Sequence, residues 1–233
     1  MIENTMKKGL LLIGSVAICA LFSCTPSGPA PVVLPPVDVT ALRAKAEQGN
    51  PQAQAQLARL YVKGQDVTNS YVEAAKWFRL AVDQGNADAQ AGLGELYEAG
   101  RGVPKDLPQA VKLYRLAADQ GNAGAQYTMG FLCEAGRGLP QNQAEATRWF
   151  RLAAEQGDPL SQYDLGQRYD LGVGVPVDRI EALKWLTLAA AQGQKDAPAR
   201  LDTVKSKMTR EEISEAKRRA ASFSSKQNSV LTP

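Results

Sequence analysis

Lys7-Lys8 stands before an apolar run over residues 9–22, and Leu21-Phe22-Ser23-Cys24 closes that run. A basic flank, about fourteen apolar and small residues, and a small residue directly before a cysteine make the outline of a bacterial lipoprotein signal. The run is short for a membrane span. The chemistry implied is acylation: the chain is cut before Cys24, which becomes the first residue and carries palmitate-type chains. An ordinary secretory signal or a buried helix is the competing reading, since Phe22 is bulkier than the small residue often found two places before the cysteine. Translation starts at Met1 or at Met6; the second start removes Glu3 from the basic region. Thr25, where an Asp would favour retention elsewhere, points to the outer membrane of an enterobacterial-type cell, with the chain facing the periplasm. Residues 25–39 hold Pro26, Pro29, Pro31, Pro35 and Pro36, the composition of a stiff tether that reaches up to ~45 Å when extended.

Catalytic chemistry has less to work with. The chain contains no histidine, which excludes His-dependent triads and His-containing zinc sites. Cys19 leaves with the signal and Cys24 is acylated, so Cys133 is the only thiol of the folded part. No base accompanies it, and it reads as buried and inert. Carboxylates are numerous enough for a two-carboxylate glycosidase by residue type alone. All of them fall at capping, pairing or solvent positions, so no catalytic residue, metal ligand or cofactor is assigned and the chain reads as a non-enzyme. Removing residues 1–23 takes away Lys7, Lys8 and Glu3 and leaves 25 basic against 23 acidic side chains, too even a balance for a nucleic-acid partner.

The elements that position any site are set by a repeat. Gln-Gly recurs at Gln48-Gly49, Gln84-Gly85, Gln120-Gly121, Gln156-Gly157 and Gln192-Gly193, each pair 36 residues after the last. A fixed period of this size means one supersecondary unit copied four times in an open stack. In register, Gln54, Gln90, Gln126 and Gln162 are identical. Leu57, Leu93, Met129 and Leu165 follow, then Ala58, Gly94, Gly130 and Gly166, then Tyr61, Tyr97, Cys133 and Tyr169. The spacing i, i+3, i+4, i+7 marks one face of a first helix of about twelve residues. Small residues in its apolar stripe imply close helix contact.

Ser70, Asp106, Asn142 and Asp178, each followed three residues on by Glu73, Gln109, Glu145 or Glu181, predict capping boxes that open a second helix. Its apolar set repeats as Trp77-Phe78, Leu113-Tyr114, Trp149-Phe150 and Trp185-Leu186, aromatics at core spacing. Gly64, Gly100, Gly136 and Gly172 stop each first helix, and Asn50, Asn86, Asn122 and Asp158 start the next unit. Arg79-Asp83, Arg115-Asp119 and Arg151-Glu155 are spaced as i, i+4 pairs on a solvated face. Around repeats 49–84, 85–120, 121–156 and 157–192, residues 40–48 form an N-terminal capping helix and residues 194–221 two C-terminal ones. The first of those runs from Asp196-Ala197-Pro198 to about Lys207; the second opens on a Thr209–Glu212 capping box and ends near Ala221. Residues 222–233 read as a flexible tail.

The order Ala89-Gln90, Leu93-Gly94, Leu96-Tyr97, Gly100, Gly102-Val103, Ala110, Tyr114, Ala117-Ala118, Gln120-Gly121 resembles the Sel1-like repeat, a relative of the tetratricopeptide repeat, and the likeness covers about residues 49–193. It implies an all-α fold, a right-handed α-solenoid whose first helices line the concave side, and an adaptor role in protein complexes. It carries no catalytic residues. One subfamily, stapled by paired cysteines, is linked with β-lactam binding; with only Cys133 in the repeats, that likeness fails.

What the stacking pattern leaves unexplained is the variable face of the first helices. One row holds Arg59, Glu95, Phe131 and Gln167; a second holds Gln56, Gly92, Thr128 and Asp164; a third holds Val62, Glu98, Glu134 and Asp170. Ala91, Tyr127 and Tyr163 form a border row. If the family geometry holds, Tyr127, Phe131 and Tyr163 make an aromatic centre with an acidic rim of Glu98, Glu134 and Asp170, suited to a protein or peptide partner. The plainer reading pairs Glu98 and Glu134 with Arg101 and Arg137. The function expected is a monomeric, membrane-anchored interaction scaffold of the cell envelope. Two alternatives stand beside it: an envelope enzyme or accessory factor acting on peptidoglycan or β-lactams, and a surface-exposed lipoprotein binding host molecules.

Overall fold

A computed structural model describes residues 38–64 and 67–231, with side chains through Ser225. The signal, Cys24, most of the tether and Asp66 lie outside the described residues. Within them the chain is helical throughout, with eleven helices and no strand. The helix α1 (Val39–Glu47) precedes four pairs: α2 (Pro51–Lys63) with α3 (Tyr71–Val82), α4 (Ala87–Ala99) with α5 (Leu107–Asp119), α6 (Ala123–Ala135) with α7 (Gln143–Glu155), and α8 (Pro159–Leu171) with α9 (Arg179–Ala191). Then come α10 (Ala197–Lys205) and α11 (Arg210–Leu231). Each pair is one repeat, and α1 to α10 each pack on their neighbours in chain order while α11 folds back onto α9, so the α-solenoid follows directly from the period.

The second helices start where the capping residues predict. Ser70, Asp106, Asn142 and Asp178 accept the backbone N–H of Glu73, Gln109, Glu145 and Glu181 at 3.3, 3.0, 3.0 and 3.0 Å. The reciprocal half of the box does not form in the repeats. Each cap's own N–H instead donates to the carbonyl of Tyr61, Tyr97, Cys133 or Tyr169, at 2.9–3.1 Å. The freed acidic side chains pair elsewhere: Glu73 with Lys76, Glu145 with Arg115, and Glu181 with Lys184 and Arg219. Only Thr209 and Glu212 complete a box in both directions, at the start of α11. Opposite each turn, Gly64, Gly100, Gly136 and Gly172 take the left-handed conformation at φ 64–72°, which a residue without Cβ adopts at no steric cost.

The repeated glutamines have a structural role. Gln54, Gln126 and Gln162 donate to the carbonyls of Ala46, Ala118 and Ala154 in the preceding helix. Their Oε1, and that of Gln90, accept Nε2 of Gln84, Gln120, Gln156 and Gln192 at 2.7–2.9 Å. A ladder of amide pairs therefore runs up the stack, each satisfying a polar group that burial would otherwise penalise. Around it the apolar core runs in successive clusters: Phe78 packs with Leu93, Leu96 and Leu113, and Tyr114 with Met129, Leu132, Trp149 and Phe150. The small residue of each first helix faces this core. A Cβ built at Gly130 would lie 2.8 Å from the Phe150 ring.

Two expected pairings and one helix end differ. Arg79 and Arg115 do not pair down their own helix with Asp83 and Asp119. Arg79 reaches the Tyr97 hydroxyl one repeat on at 3.5 Å, as Arg151 reaches Tyr169 at 2.8 Å. Where Cys133 replaces that tyrosine, Arg115 turns to Glu145 at 3.2 Å. The last helix continues to Leu231 instead of ending near Ala221. Ala216, Ala220 and Phe223 stand at i, i+4, i+7, and Phe223 meets Trp185 edge-on at 5.2 Å, so an apolar stripe carries α11 past the expected end. At α10, Gln194 rather than Asp196 caps the helix, accepting from Ala197 at 3.1 Å.

Candidate functional site

The row Arg59, Glu95, Phe131 and Gln167 occupies one register position of α2, α4, α6 and α8, so these residues share a face. Phe131 is 45% exposed there, the one aromatic of the row. Arg59 is tied to Asp88 of the next repeat at 3.3 Å. Glu95 is exposed, yet loss of solvation around its carboxyl raises it above its ordinary value; Arg59 opposes that and Glu98 adds to it.

The second row is not uniformly open. Gly92 is buried because the Phe78 ring lies where its Cβ would be, 2.4 Å from that position. Phe78 thereby floors a cleft of about 160 Å3 between α2 and α4, walled by Arg59, Lys63 and Glu95. Two repeats on, Asp164 occupies the same position as Gly92 and lines a second cleft of about 120 Å3, with Glu134, Gln167, Arg168, Leu171 and Val173. Burial, followed by the nearby Glu134 carboxylate, pushes Asp164 up from 3.8 to about 6, and Arg168 opposes. Tyr127 hydrogen-bonds to Asp164 and meets Phe150 edge-on at 5.6 Å.

The acidic rim does not form as drawn, and neither does the plainer pairing. Glu98 accepts the Tyr114 hydroxyl at 2.9 Å and pairs with Arg137 at 3.2 Å. Glu134 pairs with Arg168 at 2.5 Å. The two arginines that follow α4 and α6 reach backward, because their loops pack on the preceding repeat: Arg101 lies over the Tyr71 ring at 5.4 Å. A Cβ at Gly102 would strike the Tyr71 backbone at 2.3 Å, which shows how closely that loop sits. Asp170 is no rim residue. Its side chain is fully buried and holds Arg200 at 2.8 Å and Lys207 at 3.3 Å, latching the C-terminal cap onto the last repeat. Tyr163 lines a cleft shared with α10, beside Lys195, Ala199 and Arg200. Glu134 and Gln167 line one cleft between α6 and α8, and Phe131 and Tyr127 stand one and two turns before Glu134 on α6. Cys133 is buried, and burial raises its thiol, as an inert core cysteine requires.

Arg168 was not among the expected site residues. It stands where the other repeats carry Leu60, Leu96 and Leu132, and it is only 4% exposed. Its guanidinium donates to Gln143 Oε1 and Thr147 Oγ1 at 3.1 Å each and lies 4.8 Å over the Phe150 ring. Gln143 and Thr147 themselves replace Tyr or Leu, and Ala or Val, of the first two repeats. A charge at an otherwise leucine position was the signal that could have found this node.

The clefts on this face, of about 160 and 120 Å3, are small and lie between successive first helices of a helix-turn-helix solenoid. Residues 51–86, 87–122, 123–158 and 159–194 each match the Sel1 repeat. Among solved structures, a Sel1 repeat protein from Oxalobacter formigenes is 40% identical, covering 70% of this chain and 67% of that one with a TM-score of 0.64. The protein c5321, a protective antigen of uropathogenic Escherichia coli strains with an SLR fold, is 33% identical with a TM-score of 0.69. It covers 79% of this chain, while the chain spans only 40% of its length. Among curated proteins, none matches. The chain belongs to the Sel1 repeat family, whose repeats mediate protein–protein interaction and are typically non-enzymatic scaffolds. Among the described residues no helix is long and apolar enough to cross a membrane.

Proposed function

We propose that the chain is an interaction scaffold of the bacterial cell envelope, anchored through acylated Cys24 and engaging a protein or peptide partner across its first-helix face. The observation that carries the binding reading is Phe131, 45% exposed at a position where its register mates are Arg59, Glu95 and Gln167. Stacking does not need an aromatic there, whereas anchors of this kind commonly supply ~2 kcal/mol or more of binding. Crosslinking from membranes with the full chain as bait tests it. Phe131→Ala should reduce partner recovery at least tenfold while helicity and melting stay unchanged. Normal recovery by a folded variant would move the interface elsewhere.

The anchor rests on Lys7-Lys8, the apolar run and Ser23-Cys24. Cys24→Ala should leave the precursor uncut or release the chain from the detergent phase; unchanged acyl labelling would sink the reading. Outer-membrane placement follows from Thr25. Likeness to a protective antigen favours display on the outer surface as a second reading. Protease digestion of intact cells separates the two.

A further inference from the structure

The face around Phe131 has a charge that the fold does not neutralise. Four carboxylates line it, Glu95, Glu98, Glu134 and Asp164. Two are answered from neighbouring repeats, Glu98 by Arg137 and Glu134 by Arg168. Among the described residues no cation lies within ion-pair distance of Glu95 or Asp164. Of the cations nearby, Arg59 is engaged with Asp88, and Arg168 with Glu134, Gln143 and Thr147, while Lys63 shares the α2–α4 cleft with Glu95 without pairing to it, so Asp164 is the less compensated of the two. Asp164 is half-buried in the α6–α8 cleft, where Arg168 and the Tyr127 hydroxyl offset its charge only in part. Such a carboxylate is costly to keep ionised unless a cation arrives from outside.

Apolar surface borders both unanswered carboxylates. Phe131, one turn before Glu134 on α6, is 45% exposed, and Leu171, which lines the cleft, is 57% exposed. On the other side of Phe131, Glu95 walls the α2–α4 cleft above the Phe78 ring. The sequence of surfaces along the stack is therefore carboxylate, exposed phenyl, carboxylate with exposed leucine.

We propose that this face docks a basic, apolar segment of another protein: a lysine or arginine enters the α6–α8 cleft opposite Asp164, and an adjacent aliphatic or aromatic residue packs on Phe131 and Leu171. Complementary charge fixes the register and apolar contact supplies the affinity. The cleft holds about 120 Å3, enough for the end of one long side chain and too small for a drug-sized ligand. An arginine or lysine there meets Asp164 and Glu134 together, with Tyr127 holding the Asp164 carboxylate in place. Glu95 supplies a second, more exposed point of attraction one repeat away. The inference rests on the binding reading above and goes further in stating the chemistry of the partner.

The test is selection of random dodecapeptides displayed on phage against the full chain, followed by affinity measurement of the enriched peptides. Enrichment of lysine or arginine within a few positions of a large apolar residue is expected. Asp164→Asn and Phe131→Ala should each weaken the best peptide at least tenfold, and Glu211→Gln, in the first turn of α11, should leave it unchanged. Circular dichroism and melting check that the variants remain folded; Phe131→Lys serves as a second probe of the same exposed position. Enrichment of acidic or uncharged peptides would overturn the inference, as would equal binding by Asp164→Asn. Self-association of the chain abolished by Phe131→Ala would show a second copy as the occupant and would also overturn it. If membrane crosslinking still depends on Phe131 while basic peptides fail, the scaffold reading survives and the partner chemistry alone is wrong.

Discussion

Replacing Gly130 by valine is the sharpest test of how the repeats pack. A Cβ at this position would lie 2.8–2.9 Å from three atoms of the Phe150 ring, against about 3.5–4.0 Å for a comfortable carbon contact. The ring has nowhere to go. It is 1% exposed, Tyr127 meets it edge-on at 5.6 Å, and the Arg168 guanidinium lies 4.8 Å over its face. Overpacking of this type costs ~1–3 kcal/mol, and valine recovers only a few tenths of a kcal/mol in helix propensity over glycine. A net loss of about 2 kcal/mol follows, with Gly130→Ala between the valine variant and wild type because alanine regains nearly 1 kcal/mol of propensity. Arg115→Ala is the comparison. It removes a pair to Glu145 at 3.2 Å whose side chains are 43% and 27% exposed, so ~0.2–1 kcal/mol is at stake. Urea denaturation monitored by helicity gives the midpoints. Because a stack unfolds by nearest-neighbour units, hydrogen exchange should accompany it and show α6 and α7 opening more than α2. Equal midpoints for Gly130→Val and Arg115→Ala would refute the packing argument.

Two further outcomes are expected. Asp170→Asn should loosen the C-terminal cap by ~1–3 kcal/mol, the low side of a broken buried pair because Arg200, Lys207 and Arg179 all reach solvent, with faster exchange in α10 than in α2; uniform exchange across the chain would show that Asp170 latches nothing. Asp164, raised from 3.8 to about 6 by burial with Glu134 and Asp158 against Arg168 and Tyr127, holds its proton more tightly folded than unfolded. Its contribution to stability is therefore present below about pH 4 and lost as pH rises through about 6. Asp164→Asn should melt higher than wild type at pH 7 and lose that advantage near pH 4; a constant difference across that range would mean the carboxyl is not buried as described.

The solenoid was legible because a repeat writes each structural demand four times. Capping residues, turn glycines and the small residue under the aromatic ring recur at identical register, and each does what its chemistry predicts. What the repeat could not reveal was where freed side chains go. With the cap N–H groups turned to the first-helix carbonyls, Glu73 pairs down its own helix with Lys76, Glu145 pairs across with Arg115, and Glu181 does both, with Lys184 and Arg219. The loop arginines were assigned to their own helices because three residues separate them from Glu98 and Glu134. In space the loop folds back, and the preceding repeat takes them. Neighbours in sequence and neighbours in a stack are different sets: Glu73 keeps an i, i+3 partner in Lys76, while Glu98, Glu134 and Glu145 pair across repeats.

The candidate site separates by the same logic. Positions shared by all four repeats describe how the stack holds together, and departures from them fall into two kinds. Asp170 departs because it is last: with no fifth repeat beyond it, α10 covers that row and turns an acidic residue into an interior latch. Tyr163 is likewise claimed by the cap. Gln143, Thr147 and Arg168 depart together between the third and fourth repeats, three polar residues replacing apolar register mates and satisfying one another. A buried guanidinium gains little stability over the leucine it replaces, since desolvation offsets its pairing. Its consequence lies instead at the surface. It fixes Glu134 beside the α6–α8 cleft and leaves Asp164 without a cation next to exposed Phe131. The end-of-stack departures thus close a surface, while the mid-stack departure opens one, and it is the open one that a partner can read.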